Sequence, residues 1–229
     1  MRVAYLEDDA ALGALVRGWL EAAGHVCHHF SRARALQLEL PRESFDMFLL
    51  DWQLPDLDGL QVLQSIRARA ARAPVIFVTA RDSEEDVARV LKAGADDYIA
   101  KPVRRGELLA RMEAVARRVH GDERPKRLEL PPFVVDADAR RILRDGQPID
   151  LTDKEYELAA FLFRQVGKLL SRQHLLETVW GLPADTGSRT VDTHISRVRN
   201  KLGLTADFGW KLAAVHQFGY RLERLEAHQ

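Results

Sequence analysis

Cysteine is almost missing from this chain of 229 residues: Cys27 is the only one. No intrachain disulfide can brace the fold, and a reducing cytoplasm is the compartment that fits. Long apolar runs are missing as well, since none approaches the ~20 residues needed to cross a bilayer. The chain opens directly on a strand-like run, so no secretory leader is expected. Net charge is absent, with 34 basic against 34 acidic side chains. Division at residue 120 exposes no hidden asymmetry, because 17 basic and 18 acidic residues precede it and 17 and 16 follow. Bulk charge therefore says nothing about nucleic acid, and any such argument must rest on local placement. Internal repeats and low-complexity tracts are lacking too. His25, His28 and His29 flank the lone cysteine. Strand alternation splits such neighbours between two faces, so a partly buried strand is expected there rather than a soft-metal site.

What is present begins with four short apolar runs, each ending in a polar residue. Glu7 and Asp8 follow Val3-Ala4-Tyr5-Leu6, Asp51 follows Met47-Phe48-Leu49-Leu50, Thr79 follows Val75-Ile76-Phe77-Val78, and Lys101 follows Tyr98-Ile99-Ala100. Continuously apolar runs separated by helical patterns read as buried parallel strands of a doubly wound α/β sheet. Ligands bind such sheets at the carboxyl ends of the strands, so these side chains are predicted to converge on one rim. A solvated strand-end charge explains any one of them alone; the set asks for a shared purpose.

Three clustered carboxylates repel and call for a divalent cation, and hard oxygen donors favour Mg²⁺. A carboxylate can also attack phosphorus and form an aspartyl-phosphate. Asp51 ends its run without an acidic neighbour and is assigned as that nucleophile, which leaves Glu7 and Asp8 as metal holders. Lys101 supplies charge against the phosphoryl oxygens, and Thr79 a hydrogen bond to one of them.

At Glu7-Asp8-Asp9, Leu50-Asp51-Trp52-Gln53-Leu54-Pro55-Asp56-Leu57-Asp58-Gly59, Val78-Thr79-Ala80 and Gly94-Ala95-Asp96-Asp97-Tyr98-Ile99-Ala100-Lys101-Pro102, the first half of the chain resembles the receiver domain of two-component response regulators. The resemblance implies a five-stranded, flavodoxin-like sheet and a third kind of metal ligand, the backbone carbonyl of Gln53. It also implies a cis Lys101-Pro102 bond and a sensor histidine kinase as phosphoryl donor. Thr79 and Tyr98 become switch residues that reshape the face of the fourth helix, fifth strand and fifth helix. That face carries Arg89, Lys92, Asp96, Asp97, Glu107, Arg111 and Arg118. Like patches on two copies then form an isologous dimer on phosphorylation, held by individually weak ion pairs. Val103, where relatives often carry Phe, is a departure in packing rather than chemistry.

Polar residues 119–127, with Gly121 and Pro125, show no apolar period and read as a boundary. The expected division is a receiver at 1–119, a linker at 120–127 and a second, α+β domain at 128–229. There, Phe133-Val134-Val135, Arg141-Ile142-Leu143 and the turn Asp145-Gly146 signal a hairpin. Thr152 and Glu155 form a capping box before a helix that buries Tyr156, Leu158, Ala159, Leu162 and Phe163. A second helix starts at Ser171, with Leu175, Leu176, Val179 and Trp180 inward. A third is expected over 189–202, its buried stripe Val191, Ile195, Val198 and Leu202. The opposite face shows Arg189, Thr193, Ser196, Arg197 and Asn200, with Arg199 and Lys201 at its edges. Arg and Asn can read bases, while Ser, Thr and Lys suit phosphates. An isolated amphipathic helix of this kind is most often merely solvated. Two helices before it and a hairpin after it (Trp210–Val215, then Tyr220–Leu222) argue for a helix-turn-helix reader of DNA.

Together with Trp180-Gly181 and Arg189–Ile195, this region is similar to the winged-helix domain of the OmpR/PhoB subfamily. The resemblance implies a response regulator transcription factor that binds promoter DNA at paired half-sites, and it is not an enzyme in its own right. It also implies an RNA polymerase contact through the loop at 181–187. Relatives usually carry Arg-Gly where this chain has His216-Gln217, so the wing contact passes to Lys211, Arg221 or neutral hydrogen bonding. Two other classes compete. One is an Mg²⁺-dependent phosphatase or phosphotransferase working through an aspartyl-phosphate, although such enzymes need a second carboxylate beside the nucleophile and Asp51 is followed by Trp52 and Gln53. The other is an interaction module with a degenerate receiver, against which the intact Glu7, Asp8, Asp51, Thr79 and Lys101 stand.

Overall fold

The structure, a computed structural model, describes residues 1–69, 73–81, 83–120, 126–182, 189–216 and 218–225. The chain divides into two compact units, Met1–Asp122 and Glu123–Gln229. Most of the expected linker (121–125), most of the 181–187 loop (183–187) and Gln217 in the wing lie outside the described residues.

The first unit alternates strands and helices: β1 (Arg2–Leu6), α1 (Ala10–Ala22), β2 (Val26–Phe30), α2 (Ala33–Glu39), β3 (Met47–Leu50), α3 (Gly59–Arg69), β4 (Val75–Thr79), α4 (Glu84–Lys92), β5 (Asp97–Ala100) and α5 (Arg105–His120). All strand pairs are parallel, in the order β2-β1-β3-β4-β5. Winding reverses between β1 and β3, the switch point where such sheets bind ligands. Continuous apolarity of the central strands has a direct cause, since both sheet faces are covered. Val3, Tyr5, Met47, Leu49, Ile76 and Val78 pack with Val16 and Leu20 of α1 and Leu108, Met112 and Val115 of α5. The alternate residues Ala4, Leu6, Phe48, Leu50, Val75 and Phe77 pack with residues of α2, α3 and α4. The Lys101-Pro102 bond is cis, as expected. Helix α5 runs through His120 and the next strand starts at Arg127, so regular structure enters the expected 120–127 linker by one residue at each end.

The second unit opens with an antiparallel sheet of β6 (Arg127–Leu130), β7 (Phe133–Asp136), β8 (Arg141–Arg144) and β9 (Gln147–Pro148). Asp145 and Gly146 both have positive φ, 51° and 78°, which matches the twist of a two-residue hairpin. That hairpin joins β8 to β9; it does not link the two apolar runs named from sequence, which are connected through 137–140. Helix α6 (Asp153–Arg164) carries the full Thr152–Glu155 capping box. There follow β10 (Leu170–Ser171), α7 (Arg172–Leu175) with a π-helical turn at Leu176–Trp180, then α8 (Arg189–Leu202), β11 (Trp210–Val215) and β12 (Gly219–Arg224). Strands β10, β12 and β11 form a second antiparallel sheet, whose β11–β12 hairpin is the wing. The α8 stripe of Val191, Ile195, Val198 and Leu202 joins one core with α6, the π turn, Trp210 and Leu222.

Candidate functional site

Four of the five strand ends supply the rim: Glu7 and Asp8 at β1, Asp51 at β3, Thr79 at β4 and Lys101 at β5. Ladder hydrogen bonds set their heights: the Asp51 amide donates to the Leu6 carbonyl at 2.9 Å and the Lys101 amide to that of Thr79 at 2.9 Å. Lys101 Nζ then reaches back across the sheet and lies 2.7 Å from Asp51 Oδ2 and 2.8 Å from Glu7 Oε1. Glu7, Asp51 and Thr79 are buried, while Asp8 is exposed. One carboxylate oxygen each from Glu7, Asp8 and Asp51 lies within 4.8 Å of the others. The amide of Gln53 donates to Asp51 Oδ1 at 3.2 Å, which lays the Gln53 backbone against the same carboxylate.

Burial is the largest influence on Glu7 and pushes its carboxyl up; Lys101 pulls it down without cancelling the rise. Lys101 shows the converse. Burial disfavours its charge, yet the hydrogen bonds to Asp51 and Glu7 prevail and hold its ammonium above the ordinary lysine range. Three acids with one cation leave the rim short of positive charge, and its donors are hard oxygens open to solvent on the Asp8 side. Such a set suits Mg²⁺, with Glu7, Asp8 and Asp51 able to hold it.

Two residues of this site escaped the sequence reading. Tyr5 donates its hydroxyl to Glu7 Oε2 at 3.0 Å, and burial drives its own ionisation far upward. The available signal was period-2 alternation, which puts residues 5 and 7 on one side of β1. Gly59 is the other. An added Cβ there would lie 2.6 Å from the Asp51 carbonyl oxygen and 2.8 Å from Trp52 Cα, so only glycine allows α3 to start this close to the end of β3. The β3–α3 loop is held by its own acids. Asp56 accepts the Ala33 and Arg34 amides at the start of α2, and Asp58 accepts Trp52 Nε1 at 3.2 Å.

Thr79 Oγ1 accepts the Arg81 amide at 3.4 Å, and Tyr98, directly opposite Phe77 in the ladder, is partly buried. Of the expected dimer residues, four form one cluster. Arg111 contacts Asp97 at 3.2 Å and Glu107 at 2.9 Å, and Arg118 approaches Asp97 at 3.9 Å. Asp96 departs from the expectation, since its carboxylate meets Arg67 of α3 at 2.9 Å and the Val75 amide at 2.8 Å. Neighbouring residues in a strand point to opposite faces, so Asp96 and Asp97 part company. Arg89 is exposed with its guanidinium 5.8 Å from the Trp52 ring, and Lys92 is exposed at the end of α4.

On α8, Arg189, Thr193, Ser196, Arg197 and Asn200 are exposed opposite the buried stripe. Lys201 does not join them as a free cation: its ammonium lies 2.7 Å from Glu155 Oε2, a carboxylate only 1% exposed. Arg199 is likewise engaged, donating to the Leu212 carbonyl at 3.0 Å, and Arg144 donates to that of Leu202 at 3.2 Å. Asp192 accepts Tyr220 Oη–H at 2.6 Å and Arg172 Nε–H at 2.8 Å, which ties α8 to the wing and to α7. In the wing, Arg221 sits opposite Ala213 with Nη1 3.3 Å from Glu223, while Lys211 and His216 are exposed.

Residues 3–113 match the response regulator receiver domain family, and residues 146–222 match the family described as the C-terminal part of transcriptional regulatory proteins. Over 224 residues the chain is 34% identical to the phosphate regulon transcriptional regulatory protein PhoB of Rhizobium meliloti, covering 97% of this chain and 98% of that one. It is 35% identical to the sensory transduction protein RegX3 of Mycobacterium bovis, covering 96% and 98%. A solved CheY-like receiver domain protein from Methanospirillum hungatei covers 53% of this chain and 98% of its own, with a TM-score of 0.51 and 28% identity.

Proposed function

The chain belongs to the response regulators of the OmpR/PhoB family, transcription factors that join a receiver to a winged helix, and on that premise we propose that Asp51 is its phosphoacceptor. The observation that carries this reading is the single Lys101 ammonium bonded to both Glu7 and Asp51, with the Asp8 carboxylate beside them. A carboxylate oxygen of Asp51 attacks the phosphorus of a phosphoryl group carried by a sensor histidine kinase, and the bond to the donor breaks. Glu7, Asp8, Asp51 and the Gln53 carbonyl would hold Mg²⁺, which when bound would supply charge neutralisation to the transferring oxygens. Lys101 leaves Glu7 or Asp51 for a phosphoryl oxygen, and the Thr79 hydroxyl donates to another.

Thr79 and Tyr98 then move toward the new charge and alter the face that bears Asp97, Glu107, Arg111 and Arg118. Two copies pair through that face, which brings two winged helices onto paired half-sites of promoter DNA. Arg197 and Asn200 read bases, while Arg189, Thr193 and Ser196 meet phosphates. Arg221 or Lys211 serves the wing, and the loop at 181–187 meets RNA polymerase. A cytoplasmic location accords with this reading; among the described residues no helix is long and apolar enough to cross a membrane.

The phosphatase alternative needs a general acid beside Asp51. The carboxyls beside Asp51 are Glu7 and Asp8, which are committed to the metal in this reading. In the loop that follows, Trp52 is buried, Gln53 is neutral, and Asp56 and Asp58 are held by α2 and by Trp52, which favours a regulator over a turnover enzyme. The test is Asp51→Asn incubated with acetyl phosphate and Mg²⁺ and read by intact mass. Wild type should gain one phosphoryl group and the variant none, because an amide is no nucleophile. Stoichiometric labelling of the variant at another residue refutes the assignment.

A further inference from the structure

His29, near the end of β2, meets β1 through its side chain as well as its backbone. Its Nε2 lies 2.8 Å from the Glu7 carbonyl oxygen. A carbonyl oxygen only accepts, so this nitrogen carries the proton and donates. The Glu7 amide in turn donates to the Phe30 carbonyl at 2.9 Å. Both polar groups of the Glu7 backbone are therefore held by β2. Strand β2 ends at Phe30, opposite Leu6. Beyond that point the His29 ring supplies a hydrogen bond of the kind a longer strand would make. The ring also lies against Tyr5, centroids 5.7 Å apart, and Tyr5 is the residue that donates to the Glu7 carboxylate.

Room for this ring comes from α1. A Cβ on Gly13 would lie 2.5 Å from His29 Cε1 and 2.6 Å from Nε2, closer than any carbon can approach. Gly18 in the same helix has open space where its Cβ would be. Glycine inside a helix is destabilising relative to alanine, so the glycine at 13 has a use that the one at 18 does not share.

We propose that Gly13 and His29 work as one device that orients the metal-binding acids. His29 is a positioning residue: it fixes the peptide between Glu7 and Asp8, so that the Asp8 carboxylate turns toward Asp51 rather than away from it. Gly13 provides the slot in which the ring sits. This rests on the reading of Glu7, Asp8 and Asp51 as an Mg²⁺ site, and it adds two residues that touch neither metal nor phosphoryl group.

Calorimetric titration of the full-length protein with Mg²⁺ tests the idea without reference to phosphorylation. His29→Ala and Gly13→Ala should each weaken Mg²⁺ binding roughly tenfold, as loss of a supporting hydrogen bond around a metal commonly does. The double variant should bind no more weakly than either single one, because both remove the same contact. His29→Gln should recover most of the affinity, since its terminal amide carries an N–H donor to the place of Nε2; a merely structural role would not respond to that donor. Asp8→Asn separates the two levels of the argument. Wild-type affinity in Asp8→Asn overturns the metal-site reading itself. Weak binding in Asp8→Asn with wild-type affinity in His29→Ala and Gly13→Ala overturns the positioning device alone, as do additive losses in the double variant.

Discussion

Lys201→Met removes the cation that faces a buried carboxylate, and its cost follows from the geometry. Lys201 Nζ and the Thr152 amide both converge on Glu155 Oε2, at 2.7 and 2.9 Å. Without the ammonium, a residue 1% exposed keeps its carboxylate's hydrogen bonds to Thr152 but loses its cation. An uncompensated buried charge costs about 3–5 kcal/mol. The Lys201 side chain is 37% exposed, however, so water already screens the pair and the expected loss is about 1–2 kcal/mol. For a unit of this size that lowers the melting temperature by roughly 5–15 °C. The sign with pH is determined as well. Burial alone would raise the Glu155 carboxyl, but Lys201 and the Thr152 amide outweigh it and hold it below its ordinary 4.5. A depressed folded value stabilises above the unfolded one and loses that effect as pH falls through the folded value. The gap between wild type and variant should be full at pH 7 and should close on acidification below 4.5. Scanning calorimetry of the full chain across this range is the assay, with one thermal component moving and the receiver component staying in place. Should Lys201→Met melt like wild type at pH 7 while the salt dependence of DNA binding flattens, Lys201 is a phosphate contact and the pairing argument is wrong.

Gly59→Ala forces a Cβ to within 2.6 Å of the Asp51 carbonyl oxygen, a backbone atom that cannot step aside without moving the strand end. Labelling by acetyl phosphate should slow by roughly tenfold or more with the fold retained, and an unchanged rate would contradict the placement. Arg111→Glu sets a third acid beside Asp97 and Glu107. It should suppress phosphorylation-dependent self-association in the ultracentrifuge while Asp51 still labels; equal association of both proteins means that another surface is used. Arg197→Ala or Asn200→Ala should cost about 1–3 kcal/mol on the specific DNA site and blur base preference, measured by competitive gel shift. If neither affinity nor preference changes, α8 is not the reading helix.

Much of this molecule was legible in sequence because the relevant physics is local. A residue that ends or directly follows a buried parallel strand lies at the carboxyl rim by construction, so Thr79 at the end of β4, and Glu7, Asp51 and Lys101 just past β1, β3 and β5, declared themselves by position alone. Helical period was equally direct: Val191, Ile195, Val198 and Leu202 are all buried. The Thr152–Glu155 box closes within a single turn. Glycines were harder. The sequence contains Gly13 and Gly59, but whether a glycine marks flexibility or close contact depends on what lies opposite, His29 in one case and Asp51 in the other.

Charge pairing belongs to the tertiary structure. Lys201 stands at the edge of an apparently free basic face, yet folding brings Glu155 to it from 46 positions away. Asp96 is drawn to Arg67 while its neighbour Asp97 goes to Arg111. The reason is one of reach and direction. Apolar periodicity and strand ends are properties of consecutive residues, so the sequence determines the elements, the rim and the faces. A long charged side chain takes as partner whatever the packing of other elements brings within about 3 Å, and that is decided only once the helices and strands have met.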